Sequence, residues 1–237
     1  MDYSLCMNKA TLVVFLLLFA FRAQASELGT AIANLENAWV AAYYQANESQ
    51  QKQIYPSLLE KAVELSQRYP NAAEVKVWQA TIMVTNANFE STLTVLSTLE
   101  KAKKLLEQAI QQDPNVLDGA AYLTLGTLYY MVPGWPVSFG DHQLAEEMLK
   151  ASLKINPNGI DANYFYADFL LRQDRGREAE AYFLKASQAP VRKQQMVADT
   201  QLQNEAKLAL INTQQRKSST EKNKFQSLFT SASYSGE

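Results

Sequence analysis

The groups in this chain that could do chemistry are few. It holds one histidine, His142, and one cysteine, Cys6. His142 follows Asp141, whose type and place suit the N-cap of the helix that carries Ala145 and Leu149. One imidazole can neither build a histidine-rich metal site nor complete a nucleophile–base–orienter triad without other parts. An exposed place in the first helical turn is therefore expected for it. Carboxylate pairs are the other route to acid–base work, and the candidates are Asp141, Asp161 and Asp168. Asp161 follows Gly159 at a helix start, where capping is the favoured role. Asp168 ends the run Tyr164-Phe165-Tyr166-Ala167-Asp168, a mid-helix position that does not favour Asp. Either it faces solvent, or it lines a groove and bonds a neighbour, because an unpaired buried carboxylate is costly. The sequence has no HExxH, no phosphate-binding Gly-rich loop and no GxSxG. No catalytic set, metal site or cofactor is expected.

The most unusual stretch runs from Pro133 to Asp141. Two prolines and two glycines make a stiff, turned loop, and it carries Trp135 and Phe139. Two outcomes are open. The aromatics tuck beneath the loop and pin it to the helices, or the loop shapes a pocket or a docking face together with Asp141.

The elements that position these residues begin after a leader. Lys9, the apolar run Ala10 to Phe21 and the small-x-small Ala23-Gln24-Ala25 have the layout of a secretory signal peptide. The run is short for a membrane span, which needs about 20 apolar residues. Three regions are expected: a cleaved leader at 1–25, a helical repeat domain at 26–215 and a flexible polar tail at 216–237. Cys6 lies in the leader, so the mature part has no thiolate and no disulfide. The small-x-small site and this lack of cysteine suit a bacterial periplasm. The net charge of −2 leaves no electrostatic footprint for nucleic acid. In the tail Phe225, Leu228, Phe229 and Tyr234 interrupt the polar composition, so docking onto the body or a partner is the alternative there.

Between leader and tail the pattern is helical throughout. Ala102, Leu105, Leu106, Ala109 and Ile110 form one apolar stripe with Lys and Glu on the other face. Pro closes segments at 70, 114, 157 and 190, at spacings of 44, 43 and 33, and the residue before a Pro is pushed out of helical geometry. Each segment is expected to hold two helices. Tyr122, Leu125-Gly126 and Tyr129, then Ala145, Leu149, Ser152 and Pro157, resemble the tetratricopeptide repeat (TPR) family. Ala167, Leu170, Ala179, Phe183 and Ala186 repeat the pattern, and Trp78, Ala102, Leu106, Ala109 and Pro114 suit a preceding repeat. The resemblance covers about residues 70 to 191. It departs from the family in extra residues within 86–99 and 131–141. An earlier pair is expected over 28–69. Ala198, Leu202, Ala206 and Ala209 mark a closing helix over 194–215 that would cover the last apolar face.

The resemblance implies an all-α solenoid whose first helices line a concave surface that binds a protein or peptide. In its register the surface would hold Lys76, Gln79, Met83, Asn86, Thr127, Tyr130, Tyr164, Asp168 and Arg172. The stretch from Phe139 to Leu170 is also similar to the periplasmic T-component of TRAP transporter systems, which implies an accessory to a solute-binding protein. A glycan-acting enzyme on a helical scaffold is the remaining alternative, and it would need two carboxylates in one pocket.

Overall fold

The computed structural model describes the backbone of residues 9–232 and the side chains of 27–215 apart from 92 and 93. The leader's side chains and those of the tail, including Phe225, Leu228, Phe229 and Tyr234, lie outside the described residues. The helices are α1 (Lys9–Gln45), α2 (Glu48–Arg68), α3 (Ala73–Ala87), α4 (Thr92–Gln112), α5 (Val116–Met131), α6 (His142–Ile155), α7 (Ile160–Arg172), α8 (Gly176–Gln188) and α9 (Met196–Ala232). A short 3-10 turn, Lys193–Gln195, precedes α9.

Local chemistry sets the boundaries. Tyr69, Asp113, Asn156 and Ala189 are the C-caps of α2, α4, α6 and α8, and each precedes a proline. Asn47 opens α2 with a reciprocal box: its Oδ1 accepts from Gln50 N at 3.0 Å while Asn47 N donates to Gln50 Oε1 at 2.9 Å. Asp141 caps α6, accepting from Gln143 N at 2.8 Å and Leu144 N at 3.0 Å. Asp161 corrects the expectation placed on it. The N-cap of α7 is Gly159, and Asp161 stands inside the first turn. There its charge suits the helix N-terminus, and its Oδ2 meets Arg192 Nη2 at 3.3 Å.

The helices stack as antiparallel pairs, α1/α2, α3/α4, α5/α6 and α7/α8, with α9 laid on the last. Each odd-numbered helix also packs against the next odd one, and α9 returns to touch α1. Among the described residues the even-numbered helices do not meet one another. The odd helices therefore form an inner row and the even ones an outer row.

Small residues permit this approach. A Cβ on Gly126 would lie 2.8 Å from Leu149 Cγ and 3.1 Å from the Ala145 carbonyl oxygen. Ala102, Ala109, Ala145, Ala167 and Ala179 are fully buried beside Leu106, Leu149 and Phe183. Each such large side chain contributes about 1.5–3 kcal/mol by leaving water. One core runs from α3 to α9. A second, of Leu35, Ala42, Tyr55, Leu58, Ala62 and Ile82, joins α1 and α2 to α3, so the early pair stacks on the rest. Burial pushes the Tyr55 phenol up to about 12, with a smaller effect from Tyr43.

At the far end α9 uses the expected stripe, with Leu202 and Ala206 buried and Ala198 and Ala209 half-buried. Its helical backbone runs past the expected end at 215. Asp199 is buried in its first turn and receives Arg192 N at 2.7 Å, Nε at 3.0 Å and Nη2 at 2.6 Å. These bonds tie α9 to the turn after Pro190. At the start of α5, Leu117, Asp118 and Gly119 have φ of 47°, 55° and 86°, so the regular helix begins after Gly119.

Candidate functional site

The expected binding residues fall on the inner row, and the structure sorts them. Lys76 is 7% exposed, and its ammonium donates to the Pro70 carbonyl. Met83 is buried in the core. Neither presents surface to a partner: Lys76 turns back onto the α2–α3 connection, and Met83 packs into the core. Asn86 donates to Glu90 at 3.2 Å, and Glu90 also accepts from Thr98 at 2.7 Å. Gln79 and Thr127 are half-buried, and the Thr127 hydroxyl returns to the Leu123 carbonyl.

The α5–α7 part of the row is a connected polar set. The Tyr130 hydroxyl donates to Asp168 Oδ2 at 2.8 Å, and Arg172 Nε donates to the same oxygen at 2.8 Å. The Arg172 guanidinium lies 5.6 Å from the Tyr130 ring centroid. Burial, then the Asp168 charge, raises the Tyr130 phenol well above its ordinary value. Asp168 thus bonds two neighbours, and its side chain is not left free in solvent. Arg172 lies on the exposed side.

Three residues that the repeat pattern did not single out complete the face. Tyr43 and Tyr44 on α1 and Glu205 on α9 converge where these helices meet. Tyr43 stacks on Trp39 at 4.9 Å and meets Tyr44 edge-on at 4.8 Å. Trp39 Nε1 donates to Thr85 at 3.2 Å, which fixes this cluster on α3. Tyr164 on α7 is raised by burial and then by Glu205, and Tyr43 and Tyr44 are raised by burial with Glu205 contributing. Glu205 is exposed and makes no ion pair among the described residues. Gln195 donates to Glu36 at 2.6 Å beside the same junction. The aromatic spacing Trp39, Tyr43 was legible as one helix face, but only the return of α9 to α1 brings Glu205 to it.

The loop between α5 and α6 splits the two outcomes left open for it. Phe139 is half-buried and meets Tyr129 edge-on at 6.0 Å. Trp135 is not tucked in; it is 89% exposed. Gly140 N donates to the Pro133 carbonyl at 2.9 Å, and Asp141 N to Tyr129 at 2.9 Å. A Cβ on Gly140 would collide with the Val132 carbonyl, so glycine is required there. His142 is exposed, with Nδ1 3.1 Å from Gln173 Oε1. Among the described residues no three His, Cys, Asp or Glu side chains are grouped to hold a metal ion. None of their helices is long and apolar enough to cross a membrane.

Residues 137–192 match the family model described as Tetratricopeptide repeat. A thermophilic TPR protein of Thermus thermophilus shares the fold at a TM-score of 0.55 and 20% identity, over 80% of this chain and 95% of that one. Yeast Tom70 superposes at a TM-score of 0.44 and 19% identity, over 77% of this chain and 33% of its own. No curated protein matches the chain.

Proposed function

We infer, from the match of residues 137–192 to the tetratricopeptide-repeat model and the shared solenoid fold, that this protein is a non-catalytic scaffold. Its inner face holds a segment of another protein. The observation that carries this is the convergence of Tyr43, Tyr44 and Tyr164 with the outer side of Arg172 and with Glu205, which is exposed and has no ion-pair partner among the described residues. Tyrosines supply rigid contact area with a polar tip. A carboxylate without its own cation attracts a basic group, and aromatic faces nearby strengthen the attraction. The partner segment is therefore an extended peptide with a Lys or Arg side chain directed at Glu205. Among the expected site residues, Gln79, Asn86, Thr127, Tyr164, Asp168 and Arg172 remain on the proposed face, while Lys76, Met83 and Tyr130 are buried and support it from behind.

The compartment is part of the same proposal. Lys9, the run Ala10 to Phe21 and the Ala23-Gln24-Ala25 site support export by a cleaved leader, and a periplasmic partner.

Panning random displayed peptides on the full chain tests the function. Peptides enriched in basic residues should bind the parent and lose at least about tenfold in affinity, near 1.4 kcal/mol, on Glu205→Gln or on Tyr164→Ala. Binders indifferent to both changes would place the partner elsewhere. An accessory role in a TRAP-type system would show instead as binding to a folded solute-binding protein and to no short peptide.

A further inference from the structure

The loop at 132–140 has no part in the inner face, yet its exposed surface is apolar. Trp135 is 89% exposed, Val137 63% and Met131 61%. Pro133 and Pro136 are exposed beside them. From Met131 to Gly140 there is no charged side chain and no amide side chain. The hydroxyl of Ser138, the stretch's one polar side chain, is turned inside.

The loop is also a framed projection. Gly134 O accepts from Val137 N at 3.1 Å and Ser138 N at 3.2 Å, Pro133 O accepts from Gly140 N, and Val132 N donates to Leu128 O at 3.0 Å. Two further positions are Pro and have no N–H. Phe139 fastens the base against Tyr129, while the Lys103 ammonium lies 5.7 Å from the Phe139 ring. The hollow behind the tip is shallow and is walled by Glu100, Leu144 and the loop itself. On α4, Lys104 is one turn from Glu100, and Lys101 is one turn from Lys104; both lysines are exposed.

We propose that this loop is a membrane-docking element, with Trp135, Val137 and Met131 entering the interfacial layer of an anionic bilayer and the exposed Lys101 and Lys104 facing its headgroups, while Lys103 is held by Glu107 at 2.7 Å. Three properties select a lipid surface over a protein. A protein interface surrounds its apolar centre with a polar rim that makes hydrogen bonds, and this tip has no polar side chain to offer. Desolvating an unpaired backbone group is costly, and the N–H groups of Val132, Val137, Ser138 and Gly140 are already bonded within the loop or its parent helix. Tryptophan at the tip with lysine behind is the composition that sits at a membrane–water boundary. The loop does not span the bilayer; it rests in its surface.

The test uses the full chain mixed with vesicles of phosphatidylcholine with phosphatidylglycerol, in which the acyl chains carry bromine. Bromine quenches tryptophan fluorescence only on contact. Trp39 and Trp78 are half-buried in the body and are common to every variant, so the difference between the parent and Trp135→Ala isolates Trp135, even where the leader holds both proteins on the vesicle. Quenching in the parent that disappears in Trp135→Ala is expected. A Lys101→Gln, Lys104→Gln variant should need more lipid, by roughly fivefold per lysine removed at low salt. The dependence should weaken as salt screens the surface. Equal quenching in parent and Trp135→Ala overturns the proposal. So does a concentration-dependent dimer in lipid-free sedimentation that Trp135→Ala abolishes, because the tip would then serve a second copy of the chain.

Discussion

The α5/α6 and α7/α8 pairs use the same packing with opposite connectors. In each, a small residue on the first helix shares the core with a large one from the second: Gly126 against Leu149, and Ala167 with Phe183. The α7/α8 turn is a minimal one. Asp174 takes a left-handed φ of 59°, and Arg175 N donates to Leu170 at 2.9 Å. The α5/α6 connector spans 132–141, carries its own hydrogen bonds and throws Trp135 into solvent. Helix-pair geometry is thus decided by the contact between helices, and the connector is free to vary. That freedom lets a projecting element arise without disturbing the stack.

The comparison breaks most directly at the contact. Gly126→Leu should cost about 3 kcal/mol by overpacking, because the new side chain meets Leu149 and the Ala145 carbonyl. Urea unfolding measures it, and an unchanged midpoint would show that the helices do not meet there. Next comes the connector's base against its tip. Phe139→Ala should cost about 2 kcal/mol, as expected for truncating a half-buried aromatic, whereas Trp135→Ala should stay within about 0.5 kcal/mol. The same urea titration, run on both variants, separates them.

Acid sharpens the comparison between the two pairs by testing the joint that links them. Burial alone would raise the Glu146 carboxyl, but hydrogen bonds from Lys150, Arg175 and Tyr166 outweigh it and bring the group to about 2, below its ordinary 4.5. A depressed carboxyl stabilises the fold when ionised. Its contribution is present above pH 4.5 and is lost as the pH falls toward 2. Its partners are partly exposed, so the effect is on the order of 1 kcal/mol. Glu146→Gln should unfold more easily than the parent at neutral pH, and the gap should close between those values. The smallest effect belongs to the short turn. Asp174→Gly should stabilise by about 0.5 kcal/mol, since glycine adopts the left-handed region without a Cβ penalty, and a matched melt would detect it.

Much of this arrangement was legible before folding. Pro70, Pro114, Pro157 and Pro190 mark four helix ends because a residue before proline leaves the helical region, whatever surrounds it. Asp141 was legible as a cap for a similar local reason: its side chain reaches amides two and three residues along. Asp161 has the same side chain and a similar address, yet it pairs with Arg192 from beyond α8, and nothing local encodes that distance. Lys76 and Met83 were placed on the surface by register, while in the fold Lys76 is buried on the Pro70 carbonyl and Met83 lies in the core.

Short-range pattern was enough for the helices, their pairing through small residues and the stiff frame of the Pro133–Asp141 loop. These follow from backbone sterics and from periodicities that act within a few residues. Long-range packing settled the rest: α9 returns to α1, Glu205 stands among Tyr43, Tyr44 and Tyr164, Asp199 is buried on Arg192, and Phe139 turns inward while Trp135 turns out. Those outcomes depend on which surfaces meet after many residues of chain. The small rotation between successive pairs sets that meeting, and no single segment carries it.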